Sequence, residues 1–111
     1  MKMQESLEKV ILRTYKDEFF GTDCYVAAFP QTEANMGAIA VLPFVLRDSD
    51  GIPCFMSFDE AALWWYYENT KPVKQDEAAR LLPYVEEHCD CKLRLSQRMT
   101  ADDDRMRWNL M

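Results

Sequence analysis

Apolar residues recur at Leu7, Val10, Ile11, Thr14, Tyr15 and Phe19, the i, i+3, i+4 spacing of one helix face, and Gly21 stands where such a helix would close. That pattern predicts an amphipathic helix at the start of the chain. The pattern then changes. Cys24 to Phe29 is apolar on both alternating faces, which suits a buried strand, and Pro30 to Gly37 is polar. Ala38 to Leu46 is again apolar on both faces, with Pro43 marking an edge, a bulge or a bend. Arg47-Asp48-Ser49-Asp50-Gly51 is a turn with a glycine available for positive φ, so residues 38–56 read as a β-hairpin.

Ser57-x-x-Glu60 has the form of a capping box and predicts a helix from Ser57 that must end before Pro72. Gln75 to Cys89 places Ala78, Leu81, Leu82, Val85 and Cys89 on one stripe, and Pro83 should kink or split this helix. Lys92 to Ser96 alternates as a half-exposed strand would, and Thr100-x-x-Asp103 opens a last short helix carrying Trp108 and Leu110. The expected fold is therefore α+β: one globular domain over residues 1–111, with a mainly antiparallel sheet. The sheet comprises the 38–56 hairpin and strands near 24–29 and 92–96, packed by about four short helices.

The helix after Ser57 carries four aromatics in a row, Trp64, Trp65, Tyr66 and Tyr67. Successive residues turn by about 100°, so one face cannot hide all four. Leu63, Trp64 and Tyr67 are expected to dock on the sheet. One of Trp65 and Tyr66 is then expected to stand exposed, beside Asp59, Glu60 or Glu68.

Charge sharpens this reading. The net charge is −6. Residues 1–22 and 71–111 are each neutral, so the excess lies in 23–70, where Asp23, Glu33, Asp48, Asp50, Asp59, Glu60 and Glu68 face only Arg47. Such a field repels nucleic acid and draws basic partners. Lys92, Arg94, Arg98, Arg105 and Arg107 form a basic stretch, but no aromatics interleave it, and a solvated face is expected there. No run reaches the roughly 18 apolar residues of a membrane span. No apolar stretch follows Lys2, so a secretory signal is not expected, and a cytoplasmic setting with reduced thiols is.

The chemistry-bearing residues point away from catalysis. The three glycines, Gly21, Gly37 and Gly51, are too far apart to cradle a phosphate. His88 is the only histidine, and on a helix its neighbour Cys89 points about 100° away from it, so the two cannot act as base and nucleophile. His88, Cys89 and Cys91 are the one conceivable metal or thiol site, but their spacing is unlike zinc knuckles, and Cys24 and Cys54 lie far along the chain. Asp48-Ser49-Asp50-Gly51 misplaces its glycine for a calcium loop. Asp102 to Asp104 sit in the first turn after Thr100, where negative charge suits the helix dipole. No cofactor and no metal are expected.

By size and charge alone the chain resembles the small acidic inhibitors that phages, plasmids and toxin systems encode, such as anti-CRISPR or immunity proteins. The likeness is one of composition and carries no residue with it. The function expected is that of a non-enzymatic protein-binding module, an inhibitor or neutraliser of a partner with a basic surface. The contact would be made by Trp65, Tyr66, Asp59, Glu60 and Glu68, with Asp48 and Asp50 of the hairpin tip. Two alternatives stand beside it: a metal- or thiol-dependent protein using Cys89, Cys91 and His88, and a subunit that self-associates, as a homodimer or otherwise, through the aromatic helix.

Overall fold

The computed structural model describes residues 8–17, 22–101 and 103. Its elements run β1 (Glu8–Asp17), β2 (Thr22–Phe29), β3 (Ala38–Leu46), β4 (Pro53–Phe55), β5 (Asp59–Ala62), α1 (Leu63–Asn69), β6 (Lys71–Pro72), α2 (Gln75–Cys89) and β7 (Leu93–Ser96). The strands form one mixed sheet in the order β4-β3-β2-β1-β6, with β5 also on β3 and β7 also on β1. The result is a small compact α+β domain.

The first predicted helix is a strand. β1 is antiparallel to β2 and parallel to β7, so it is interior to the sheet over most of its length. Val10 and Leu12 enter the core on one face and Ile11 the core on the other. Burial on both faces erases the polar alternation of an ordinary strand and leaves a continuous apolar run, which mimics helical spacing. Leu7, Phe19 and Gly21 lie outside the described residues. Among the described strands five of the six pairings are antiparallel, as expected, and the parallel β1–β7 pair makes the sheet mixed.

The hairpin is present. Arg47 N–H donates to the carbonyl of Ile52, Gly51 N–H donates to that of Arg47, and Gly51 takes φ +71°. Pro43 sits where β3 changes neighbours, between the stretch paired with β5 (residues 38–41) and that paired with β4 (residues 44–46). Its carbonyl accepts from Met56 N–H on that side, so its ring nitrogen faces the gap and β2 loses no donor.

Ser57 does not cap a helix. The chain stays extended through Ala62 because β5 completes β3, with Ala62 opposite Ala38 and Asp59 opposite Val41. Helix α1 starts at Leu63 behind Ala62, with no side-chain cap, and Leu63 N–H donates to Gly37 carbonyl. Glu60 accepts from Asn35 Nδ2 at 2.8 Å instead of reaching back to Ser57. Sheet pairing has overruled a local capping preference.

Helix α2 runs unsplit through Pro83 and closes at Asp90, which takes the left-handed conformation (φ 57°). Thr100 and Asp103 do exchange the two hydrogen bonds of a capping box. Asp102, Asp104, Arg105, Arg107, Trp108 and Leu110 lie outside the described residues. Two helices are therefore seen among the described residues, not four.

Two cores sandwich the sheet. On one face α2 brings Ala78, Leu81 and Val85 onto Val10, Leu12, Tyr25, Ala27, Phe29, Leu42 and Phe44. On the other, α1 brings Leu63 and Tyr66 onto Ile11, Val26, Ala28, Ile39 and Val41. Among the described residues no helix is long and apolar enough to cross a membrane.

Candidate functional site

The late start of α1 fixes which aromatics are seen from outside. Leu63 docks as the first helical residue, so Tyr66, three positions on, shares its inward face. Trp64 (62% exposed) and Tyr67 (50%) face out, while Tyr66 is buried at 1%. This reverses the expected phase, in which Trp64 was the buried ring and Tyr66 a candidate for exposure. Trp65 is half-buried and meets Tyr15 of β1 edge to face, with centroids 5.0 Å apart and planes at 75°.

Beneath Trp64 and Trp65 lies an open groove of about 370 Å³. Its other walls are Tyr15, Val41, Pro43 and the β5 segment from Asp59 to Ala62. Register assigns the two β5 carboxylates to different faces. Asp59 opposes Val41, which belongs to the α1-side core, so its side chain shares that face. Glu60 opposes Ala40, which packs against the α2-side core, and its carboxylate is held by Asn35. Asp59 Oδ1 accepts from the Glu60 amide at 2.8 Å, which fixes the carboxylate beside the groove. Among the described residues neither Asp59 nor Glu60 has a cationic partner, and no basic side chain lines the groove.

Glu68 lies in an adjoining hollow of about 380 Å³ that shares Tyr15 with the groove and also holds Lys16, Asp23 and Lys71. There Lys16 and Asp23 pair at 3.1 Å. Asp48 and Asp50 are elsewhere, at the hairpin tip. Asp50 receives Nε and Nη2 of Arg47 and the Ile52 amide, which hold its carboxyl below the usual carboxylate range. Arg80 of α2 donates to Gly51 carbonyl, so the tip leans towards the α2 side. The structure thus brings together Trp65, Asp59 and, through its backbone segment, Glu60. It adds Trp64, Tyr15 and Pro43, buries Tyr66 beneath them, and leaves the tip carboxylates apart.

Polar contacts hold α1 in place. Arg13, 8% exposed, lies with its guanidinium carbon 4.6 Å from the Tyr66 ring centroid. It donates to Thr70 Oγ1 (2.7 Å) and to the carbonyls of Thr70 (2.8 Å) and Tyr66 (3.3 Å), so it satisfies the end of the helix. On the same face of β1, two residues earlier than Ile11, Lys9 pairs with Asp103 at 2.5 Å with both side chains buried. Burial pushes the Tyr66 phenol up to about 12, against the nearby Arg13 cation and with the Asp103 charge, and among the described residues its hydroxyl has no hydrogen-bond partner.

His88 stacks on Phe55 (4.5 Å, 24°), Cys89 turns towards the α2-side core, and Cys91 is exposed. Burial, with smaller contributions from Cys91 and Glu8, raises the Cys89 thiol. Among the described residues no group of three or more His, Cys, Asp or Glu is placed to hold a metal. Comparison with protein-family models, curated proteins and solved structures found no match.

Proposed function

We propose that this chain is a non-enzymatic protein-binding module that covers a basic surface of a partner protein and inhibits it by occlusion. The contact face is the outer side of α1 with the groove beside β5. One observation carries this reading: a tryptophan, Trp64, stands 62% exposed over a groove walled by further aromatic side chains, next to a carboxylate that has no cationic partner among the described residues. Solvent exposure of a large ring disfavours the isolated molecule. Aromatic anchors of this kind, with complementary charge around them, are enriched among the residues that dominate interface energy.

The test is capture of partners from the native host by the tagged protein, followed by mass spectrometry and by titration of the captured partner. Trp64→Ala should fold normally and weaken that partner by about 2 kcal/mol or more. Added salt should slow association. Asp48→Asn at the hairpin tip should change little. A partner held equally by Trp64→Ala and wild type would place the contact elsewhere and end this reading. Concentration-dependent self-association abolished by Trp64→Ala would replace it with the self-associating subunit.

A further inference from the structure

We infer that the groove beside β5 takes an arginine side chain from an extended basic segment of the partner, its guanidinium on the indole and phenol walls and its fork on Asp59. The inference rests on the reading of the α1 face as the contact surface and deepens it.

Three features lead to a cation. The walls include three aromatic rings: Tyr15 and Trp65 meet edge to face at 75°, and Trp64 lines the same space. A cation over the face of such a ring is attracted by its quadrupole, tryptophan being the best partner. The charge at the rim is single-signed. Asp59 is turned to this face by the β3–β5 register, and its Oδ1 is already committed to the Glu60 amide, so the carboxylate plane is set before a ligand arrives. Among the described residues no lysine or arginine lines the groove itself; the adjoining hollow holds Lys71 and Lys16, the latter paired with Asp23.

Two features select arginine over lysine. The groove is open and its tryptophan half-solvated, so a strongly hydrated ammonium would gain little by entering it, whereas a guanidinium is weakly hydrated. A flat guanidinium can also lie on a ring while its edge meets a carboxylate, which a tetrahedral ammonium cannot do. An extended segment fits because β5 is short and its outward backbone is partly closed by Asp59 accepting from the Glu60 amide. Side-chain recognition, rather than addition of a long strand, is what this edge offers.

The experiment is a nitrogen-proton NMR titration of the intact protein with a blocked peptide carrying arginine at alternate positions among serines. Matched peptides carry lysine, trimethyllysine or glutamate instead. The expected result is saturable movement of the Trp64 and Trp65 indole signals with the arginine peptide, less with lysine and none with glutamate. Asp59→Asn should weaken binding about three- to fivefold, and Trp64→Ala by a similar factor, while Asp48→Asn at the hairpin tip leaves it unchanged. Equal losses from Asp59→Asn, Glu60→Gln and Asp48→Asn would show a diffuse acidic field and overturn the site. Tighter binding of trimethyllysine than arginine would overturn the arginine assignment. If no peptide binds while partner capture still requires Trp64, this inference falls and the proposed contact face survives.

Discussion

Asp103→Asn is the sharpest test of how the chain is held together. Asp103 and Lys9 are 94 positions apart, and their pairing ties residue 103 to the start of β1. The side chains are 4% and 7% exposed, so neither charge has solvent to fall back on. An amide at position 103 can still accept from the Thr100 backbone, but it strands the Lys9 ammonium in the interior. Removing one member of a buried pair typically costs about 3–5 kcal/mol, most of it the penalty of the charge left behind. A domain of this size has about 5–15 kcal/mol in total, so the variant should be visibly weakened yet foldable. Lys9→Met should cost less, because the Asp103 carboxylate keeps its Thr100 amide and can take up a proton. The double variant should recover much of the loss, giving a coupling of about 2 kcal/mol or more.

Urea unfolding followed by tryptophan fluorescence reads this directly. With a slope of about 1–3 kcal/mol per molar, the Asp103→Asn midpoint should fall by on the order of 1–5 M. The pH arm has a defined sign. Burial opposes ionisation of Asp103, but the Lys9 hydrogen bond and the Thr100 amide outweigh it and hold the carboxyl below its usual range. Its contribution is therefore complete at neutral pH and is lost as pH falls below about 4, through the folded value. Strictly additive single losses in the double variant, with no difference in acid sensitivity from wild type, would refute the pairing.

Two further substitutions examine the underside of α1. Arg13→Met keeps the aliphatic stem but strips the Thr70 carbonyl of its guanidinium donor and leaves the Tyr66 carbonyl only the Thr70 hydroxyl, and should lower stability by about 2–3 kcal/mol in the same urea assay; an unmoved midpoint would show that the helix end needs no cation. Tyr66→Phe deletes a buried hydroxyl that has no partner among the described residues, and should leave stability unchanged or raise it by about 1 kcal/mol. In wild type the raised phenol adds a stability loss as pH climbs from about 10 towards about 12, and the phenylalanine variant should lose less there; a clear destabilisation at neutral pH would reveal a hydrogen bond to that hydroxyl.

Much of this architecture was legible where local chemistry and tertiary pairing agree. The Gly51 turn made the hairpin readable, the Ala78–Leu81–Val85 stripe gave the phase of α2, and alternation at Leu93 gave β7. β1 was illegible because a strand covered on both faces carries no period-2 signal, and Tyr15 was therefore missed as a wall of the groove. The capping box at Ser57 was a sound local signal, but β3 needed a partner over residues 38–41, and that long-range demand is invisible in a window of a few residues. The error propagated: placing the helix start six residues early leaves the aromatic phase undetermined, so Trp64 and Tyr66 exchanged roles. For the site, the clustering of carboxylates and rings pointed to the segment that borders the groove. Which of Asp59 and Glu60 faces the groove depends on a register that only pairing with β3 sets.

The two helices are held by different means, and the difference bears on what α1 is for. α2 is fifteen residues long and sits on an apolar layer, so packing alone accounts for it. α1 has seven residues, too few to persist by itself, and buries two side chains, Leu63 and Tyr66. Its ends are tied as well. Leu63 N–H is fixed to Gly37 at the sheet edge, and Arg13 grips the last turn from β1, so the segment is pinned at both termini. A helix held this way cannot roll, although its outward face is the aromatic one. Trp64 and Trp65 are therefore presented in a set orientation to the groove and to Asp59. A partner would pay little to order them, which favours a preformed contact face over a loop that adapts.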